Sequence, residues 1–266
     1  MRKVISVALP KGGVGKTTTA VNLAASLAVA EKRVLLIDAD PSGTCAIYLG
    51  IDPEKTPGSL HEVLSFTKRI SQVVSKTQID NLDFIPAGEP SYQNEDRVAR
   101  LTGNLNLFSN MLHHELGEYD YIIIDCPPYL KGFTTIALIA STSVIVPMRA
   151  GQFSLNALKR MVEHIKWVRA NYNQILKIEG ILLTMYEANT KVWTMTRADL
   201  EKDLGPFLFK TSIPRSSALT VSEFHGKPAV LYDAKSKGSA AYMSLAMEVL
   251  EKDMGITRPV SINSNQ

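Results

Sequence analysis

Hydrophobic positions follow two patterns along this chain, and the two patterns alternate. Short apolar runs predict buried strands, and longer segments with apolar residues three and four apart predict helices packed on a sheet. The predicted strands cover residues 4–9, 33–37, 82–86, 119–124, 143–148, 178–184 and 207–213. The predicted helices cover residues 17–30, 59–66, 98–116, 153–172, 192–204 and 235–253, with a loop at 88–94. The alternation predicts one doubly wound α/β domain, a mostly parallel sheet with helices on both faces.

The domain boundary is set by the end of the last apolar stripe. Residues 1–254 form the predicted domain, and the polar segment 255–266, with a proline at position 259, is expected to be a disordered tail. The chain has no internal repeat, and its longest apolar runs fall well short of the roughly 18 residues of a membrane helix. The short apolar start before Pro10 is better explained as a strand than as a signal peptide.

Composition narrows the functional classes only slightly. The chain of 266 residues is 45% hydrophobic and 21% charged, which is ordinary for a globular protein. The net charge of +3 divides into −2 for residues 1–133 and +5 for residues 134–266, so a face that binds a polyanion is permitted in the second half. Two cysteines, Cys45 and Cys126, cannot build a disulfide framework, and the spacing of the five histidines predicts no zinc site. Cys126 is expected to be a small buried residue, and a reducing cytoplasm is the simplest setting.

A glycine-rich turn after the first strand carries the clearest chemistry. Three glycines between a strand and a helix allow the backbone amides to surround an anion, and the helix dipole favours negative charge there. The lysine that opens the helix is the P-loop lysine, which reaches the β- and γ-phosphates, and the next hydroxyl ligates Mg²⁺. The predicted nucleotide-binding residues of this loop are Lys11, Gly12, Gly13, Val14, Gly15, Lys16, Thr17 and Thr18.

Acidic residues stand at the ends of two other predicted strands. Asp38 and Asp40 follow the second strand, and Asp125 follows the most continuous apolar run, as a Walker B acid does. Because ligands bind at the carboxyl ends of the strands in such sheets, these carboxylates should face the phosphate loop. For Asp38 a capping role in a turn or helix is about equally expected. Thr17, Asp40 and Asp125 are therefore the predicted metal-binding set.

The loop lacks the glycine of the general P-loop at position 10 and opens with a second lysine. This KGGxGKS/T form, with DADP at residues 38–41 and DCPP at residues 125–128, resembles the ParA/Soj and MinD group of deviant Walker A ATPases. The resemblance extends over nearly the whole chain. It implies that Lys11, Lys16, Asp40 and Asp125 are catalytic, with Lys11 crossing to the nucleotide of a partner subunit and Gly12 at the close contact. It also implies that Thr18 reaches the α-phosphate and that Asp40 positions Mg²⁺ and the attacking water.

Further family motifs lie in the second half of the chain. Met185 follows a threonine as in the TM pair of relatives, and Pro214 and Arg215 belong to an IPR motif. By resemblance these three residues border the adenine. Three positions depart from the family pattern. Ser42 replaces a glutamine, and Tyr129 replaces a serine. Arg149 lies in the stretch before the helix at 153–172, where relatives usually carry an acid.

The resemblance further implies ATP and Mg²⁺ as cofactors, an ATP-bound homodimer, nonspecific binding to nucleoid DNA, and a ParB-like adaptor protein that stimulates a slow ATPase. The protein would then be cytoplasmic and associated with the nucleoid, without a membrane partner. The basic face of the helix at 153–172 is better explained as solvated surface than as a DNA contact. Candidate DNA contacts, for which a solvated surface is an equally good explanation, are Arg197, Lys202, Lys210, Arg215, Lys227, Lys235 and Lys237.

Three other functions compete with this one. A MinD-like membrane-cycling ATPase would need a basic amphipathic helix at the C-terminus, and the polar tail does not show one. A nitrogenase-type reductase would need paired cysteines for an iron–sulfur cluster. A nucleotide-binding scaffold without turnover is left open by the three departures at Ser42, Tyr129 and Arg149.

Overall fold

The fold is a seven-stranded sheet covered by helices on both faces, and the computed structural model describes residues 2–88, 105–187 and 190–255. The strands are β1 (Lys3–Val7), β2 (Val34–Asp38), β3 (Ser75–Lys76), β4 (Leu82–Ile85), β5 (Tyr121–Asp125), β6 (Ser143–Arg149) and β7 (Lys177–Thr184). Their order across the sheet is β3-β4-β2-β5-β1-β6-β7. Every described pair is parallel except β3 with β4, so the predicted doubly wound, mostly parallel α/β fold is confirmed.

Ten α-helices lie in the described part of the chain. They are α1 (Lys16–Val29), α2 (Thr44–Leu49), α3 (Leu60–Leu64), α4 (Leu107–Glu115), α5 (Phe133–Ala140), α6 (Gln152–Asn171), α7 (Lys191–Leu204), α8 (Ser217–Phe224), α9 (Ala229–Tyr232) and α10 (Lys237–Asp253). Short 3₁₀ turns occupy Pro53–Lys55, Ile70–Gln72 and Gly205–Phe207. Within the described residues, every helix is too short or too polar to span a bilayer.

The core has one layer on each face of the sheet, because side chains alternate along each strand. Along β1, Val4 packs in the layer under α4, α5 and α6, whereas Ile5 packs in the layer under α1 and α10. The strand at the centre, β5, is buried over its whole length. Residues buried on both faces explain why the strands are continuous apolar runs in the sequence.

One predicted strand is wrong. Residues 207–213 make only an isolated bridge, Ile181 with Leu208, in place of a ladder. The reason is that the amides of Lys210 and Thr211 donate to the carboxylate of Glu248 on α10, at 2.9 and 3.1 Å, and so are not available to a neighbouring strand. Helices α2, α5, α8 and α9 and strand β3 are additions to the sequence prediction.

Several expectations fall outside the described residues. These are the predicted loop at 88–94 beyond Gly88, the first part of the helix at 98–116, and the tail beyond Gly255. Where the chain is described again, α4 begins at Leu107. The domain limits at residues 1–254 remain a prediction.

Candidate functional site

The glycine-rich loop joins β1 to α1 at the centre of the sheet. Gly13 and Gly15 have φ angles of 68° and 83°, in the left-handed region that glycine adopts without strain. Apart from the glycine itself and its two chain neighbours, no heavy atom of the described residues lies within 4 Å of the point where a side chain on Gly12 or Gly13 would begin. The Thr184 hydroxyl, from the end of β7, donates to the Val14 carbonyl at 2.9 Å and holds the loop from below. The loop is therefore an open concave backbone of the kind that binds phosphates.

Lys16 points into this loop. Its side chain is almost buried, since the residue is 7% exposed, and its ammonium donates to the Lys11 carbonyl at 3.0 Å. Burial lowers the pKa of Lys16, while Asp125 and Asp40 act in the opposite direction. Within the described ranges the ammonium bonds only a backbone carbonyl of the loop, so it is suited to an anionic ligand in the concave space that the loop surrounds, called the cradle below.

Sheet register brings the predicted acids together. Asp125 is paired in register with Val7 of β1 on one side and with Asp38 of β2 on the other. The Thr17 hydroxyl, at the start of α1, donates to Asp125 Oδ2 at 2.6 Å. The carboxylate that ends β5 thus contacts the helix that follows the phosphate loop, as the sequence predicts for a Walker B acid.

The two acids after β2 have different surroundings. Asp38 is fully buried and accepts from the amides of Asp40 and Cys45, both at 3.0 Å, so it fixes the turn and the first residues of α2. Asp40 is half-buried, accepts from the Ser42 amide at 3.0 Å, and lies close enough to Lys16 and Asp125 to influence the pKa of both. Capping is therefore the observed role of Asp38, and Asp40 is the one of the two acids whose charge raises the pKa of Lys16.

Negative charge is crowded at this edge of the sheet. Burial, together with the neighbouring Asp125, raises the pKa of Asp38 well above its usual range. Burial also raises the pKa of Asp125, and the Asp40 carboxylate adds to the rise. The Asp125 Oδ1 atom is buried and has no hydrogen-bond partner among the described residues. Carboxylates in this state favour a cation as ligand.

These residues fit Mg²⁺ by the chemistry of their donors. Magnesium prefers oxygen ligands and is commonly held by one or two carboxylates together with phosphate oxygens and water. The Thr17 hydroxyl, the unpartnered Asp125 oxygen and the nearby Asp40 carboxylate supply such oxygens. Residues Thr17, Asp40 and Asp125 are the ones that would hold the metal.

Lys11 has a different environment from Lys16. Its ammonium lies 3.3 Å from the Ser154 hydroxyl on α6 and 5.8 Å from the centre of the Phe153 ring, which is 82% exposed. Lys11 itself is half-buried. One lysine of the loop therefore points inward beneath the cradle, and the other extends along the surface towards α6.

The residues predicted beside the adenine lie in one region at the end of β7. The Met185 methyl is 3.6 Å from where a side chain on Gly15 would begin, so Met185 flanks the phosphate loop. Tyr186 forms a parallel bridge with Pro214, and the Arg215 amide donates to the Tyr186 carbonyl at 3.1 Å. The Arg215 side chain forms an ion pair with Glu187 at 2.7 Å.

The three departures from the family pattern are all exposed. Ser42 is exposed and its hydroxyl bonds that of Thr44 at 2.9 Å. Tyr129 is exposed, and its carbonyl accepts from the Thr134 hydroxyl at 2.5 Å. Arg149 ends β6 and is exposed.

The candidate DNA contacts are all exposed, but they are not equivalent. Arg197 pairs with Glu201 at 2.7 Å, and Arg215 pairs with Glu187 at the same distance, so both charges are partly compensated. The remaining candidates, Lys202, Lys210, Lys227, Lys235 and Lys237, are exposed lysines.

Several contacts of the loop and its helix were missed by sequence reasoning. Tyr48 bonds the Thr18 hydroxyl at 3.0 Å, and Tyr242 bonds the Thr19 hydroxyl at 3.2 Å. Cys45 donates to Asp125 Oδ2 at 3.5 Å, whereas Cys126 is buried as expected. These partners are 30 to 223 residues apart, and no local pattern indicates them.

Comparison with known proteins agrees with this geometry. Residues 2–178 match the family model described as an AAA domain. The sporulation initiation inhibitor protein Soj of Bacillus subtilis is 38% identical over 94% of this chain and 98% of its own length. The chromosome partitioning protein ParA of Myxococcus xanthus is 36% identical over 94% of this chain and 89% of its own.

A solved structure is also similar. Cobyrinic acid a,c-diamide synthase from Mycobacterium smegmatis, with a bound ATP analogue and magnesium, has a TM-score of 0.80 at 30% identity, covering 96% of each chain. This agrees with nucleotide and Mg²⁺ binding at such a fold. With the phosphate loop, the strand-end acids and these relatives taken together, the chain belongs to the ParA/Soj family of P-loop ATPases with a deviant Walker A loop.

Proposed function

We propose that this protein is a Mg²⁺-dependent ATPase that pairs with a second copy when ATP is bound, binds DNA nonspecifically as that dimer, and positions a cargo with a ParB-like adaptor. ADP would return it to the monomer, so slow hydrolysis would act as a timer. Relatives named for chromosome partitioning support the positioning role. The cargo could be a plasmid, a chromosome region or a protein assembly, and the protein would act in the cytoplasm on the nucleoid.

The observation that carries the proposal is the divergence of the two loop lysines. Lys16 is buried and already serves the cradle of its own chain. Lys11 extends outward beside the exposed Phe153 ring, where a second subunit could approach. Exposed aromatic rings are enriched at protein–protein interfaces. A cation in this position supports a role at the nucleotide of the partner subunit.

In the proposed reaction the chain supplies position and charge. Lys16 and the loop amides would hold the triphosphate, Thr18 would contact the α-phosphate, and Asp40 would orient the attacking water. Thr17, Asp40 and Asp125 would hold Mg²⁺, which would supply positive charge to neutralise the triphosphate. Lys11 of the partner would stabilise the charge that develops on the transferred phosphoryl group.

Solution mass tests the pairing step. With ATP and Mg²⁺, light scattering should give twice the monomer mass, and with ADP the monomer mass. Lys11→Ala should keep ATP affinity within about threefold yet remain a monomer. Lys159→Ala, which removes an exposed lysine of α6, is the matched control and should dimerise normally. A Lys11→Ala protein that pairs like the parent would contradict the role given to Lys11.

Turnover separates an ATPase from a scaffold. Phosphate release should be measurable for the parent, and Asp40→Ala should reduce it about 100-fold while ATP binding persists. If the parent bound ATP but released no phosphate with DNA and adaptor present, the protein would be a nucleotide-dependent scaffold.

DNA binding is tested by retention on a nonspecific duplex. Retention should require ATP and fall steeply with salt, because phosphate contacts release counterions. Lys235→Glu with Lys237→Glu should weaken it, whereas Lys55→Glu, on the exposed turn Pro53–Lys55, should not. Retention that is independent of ATP would overturn the nucleoid part and leave the ATPase intact. Pull-down with the Asp40→Ala protein should then identify the adaptor.

A further inference from the structure

Cys45 forms a tight cluster with two carboxylates at the carboxyl edge of the sheet. One potential ligand atom each from Asp38, Cys45 and Asp125 lie within 4.8 Å of one another. All three residues are fully buried. Asp38 and Asp125 are paired in register at the ends of β2 and β5, and Cys45 is brought in by α2, whose first turn Asp38 holds.

The separation of the thiol and the carboxylate matches a metal site. Cys45 Sγ lies 3.5 Å from Asp125 Oδ2. A tetrahedral zinc ion, with bonds of about 2.3 Å to sulfur and about 2.0 Å to oxygen, places these two ligands about 3.5 Å apart. The present contact therefore needs almost no movement to become one edge of a coordination tetrahedron.

Among the described residues, hydrogen bonds reach only one of the two oxygens of the Asp125 carboxylate. Asp125 Oδ1 is buried and has no hydrogen-bond partner among the described residues, while Oδ2 already accepts from Thr17 and Cys45. A buried carboxylate oxygen without a donor is costly, and a cation bound to it removes that cost. Both Asp38 oxygens accept from backbone amides, so this carboxylate is held in a fixed orientation.

We propose that Asp38, Cys45 and Asp125 form a binding site for a thiophilic divalent cation, Zn²⁺, with water in the fourth position. On binding, the zinc–sulfur bond forms as the S–H bond of Cys45 breaks, and the proton passes to solvent. One sulfur and two oxygens make the site softer than an all-oxygen magnesium site. The spacing of the five histidines predicts no zinc site, and no local pattern indicates this one, since its ligands are 7 and 80 residues apart.

The site shares Asp125 with the Mg²⁺ set of the proposed function. Zinc bound there would occupy the carboxylate that ATP turnover needs, so the nucleotide cycle would become sensitive to zinc. The inference itself does not depend on turnover, because metal binding can be measured on the protein without nucleotide.

Cobalt is the spectroscopic probe for this site. Without nucleotide, Co²⁺ should bind with one ion per chain and give a near-ultraviolet absorption band from thiolate-to-cobalt charge transfer. Zn²⁺ should abolish the band on titration. Cys45→Ala should lose the band and bind Zn²⁺ at least about tenfold more weakly in equilibrium dialysis. Cys126→Ala, which removes the other buried cysteine, is the matched control and should keep both.

A readout on the parent protein avoids any effect of the variants on folding. X-ray absorption of the zinc-loaded parent should show one sulfur at about 2.3 Å and lighter ligands at about 2.0 Å. Zinc with oxygen and nitrogen ligands only would overturn the proposal, as would a cobalt band that Cys126→Ala removes and Cys45→Ala retains. These outcomes differ from failure of the proposed function, which would appear in the ATP-dependent mass and phosphate release.

Discussion

Charged groups are buried both where the parallel strands begin, called the amino edge here, and where they end, called the carboxyl edge. The two edges differ in how far neighbouring groups compensate the buried charge. At the amino edge, the Lys3 ammonium forms an ion pair with Glu179 at 3.0 Å and another with Asp253, with side chains of Lys3 and Glu179 only 9% and 2% exposed. Tyr121 donates to Asp253 at 2.5 Å. At the carboxyl edge, Asp38 and Asp125 crowd together, and one Asp125 oxygen has no hydrogen-bond partner among the described residues.

Strand β5 makes the comparison direct, because it begins at Tyr121 and ends at Asp125. At its start, the Lys3 ammonium and the Tyr121 hydroxyl compensate the Asp253 carboxylate, and these contacts fasten the end of α10 to the sheet. At its end, burial raises the pKa values of Asp38 and Asp125. Hydrogen bonds from the described residues lower these pKa values, but they offset only part of the rise. A compensated buried charge stabilises the fold, whereas an uncompensated one marks a site for a cation or substrate.

The largest expected change in the free energy of unfolding comes from removing the ion pairs at the amino edge. Lys3→Met keeps an unbranched chain but leaves Glu179 and Asp253 without their shared cation. Removing one partner of a buried ion pair costs about 3 kcal/mol, so the free energy of unfolding should fall by about that amount. Urea unfolding followed by circular dichroism would measure it.

The control for Lys3→Met is a lysine in an exposed ion pair. Lys55 pairs with Asp52 at 2.9 Å on the surface, and Lys55→Met should leave the unfolding midpoint unchanged within error. ATP affinity should be the same in both variants, because neither residue is near the phosphate loop. Equal destabilisation by the two substitutions would mean that burial of the Lys3 pair is unimportant.

At the carboxyl edge, where the buried charge is uncompensated, a substitution should change the free energy of unfolding by a smaller amount and in the opposite direction. The raised pKa of Asp125 means that its ionised form is disfavoured in the folded state. Its cost is absent below the usual carboxyl pKa of about 4 and appears as the pH rises through the raised value. At pH 8 without nucleotide or metal, Asp125→Asn should therefore raise the free energy of unfolding by about 2 kcal/mol.

Unfolding at two pH values and with ligand tests this prediction. The gain from Asp125→Asn should shrink towards pH 4, and with Mg²⁺ and ATP the parent should become the more stable protein, because the variant loses the metal carboxylate. If Asp125→Asn were less stable than the parent at pH 8 without ligand, the view of this edge as uncompensated would be wrong.

The positions of the site residues could be predicted because they depend on local rules. A glycine-rich turn between a strand and a helix, and acids directly after apolar runs, place their side chains at one edge of any parallel sheet. In the observed register, Val7 and Asp38 lie on either side of Asp125 at that edge, while the roles of the acids remain predictions. The direction of Lys11 could not be predicted in this way, since it depends on Ser154 at the start of α6, 143 residues away.

Other features escaped sequence reasoning for physical reasons. Helix α5 is buried on all sides, so its apolar residues show no helical period. Helix α2 follows a glycine and is held by Asp38, which lies outside it. The false strand at 207–213 has strand-like residues, but Glu248 takes two of its amides. The amino-edge ion pairs join residues up to 250 positions apart, which no local pattern records.

The smallest predicted effect measures how far the groups of the amino edge act together. Tyr121→Phe removes one hydrogen bond to Asp253 without changing the ring, and should cost about 1 kcal/mol. In the double variant with Lys3→Met, the two costs should not add, since both substitutions act on the same carboxylate; an interaction energy of about 1 kcal/mol is expected.

Tyr119 provides the matched control for that double-mutant cycle. Its hydroxyl donates to Asp83 at 2.7 Å, a carboxylate that Lys3 does not contact. Tyr119→Phe should cost about 1 kcal/mol as well, but it should add to Lys3→Met within about 0.5 kcal/mol. Additive costs in both cycles would show that the groups of the amino edge form separate pairs that do not stabilise one another. The two edges would then differ only in whether their buried charges have partners.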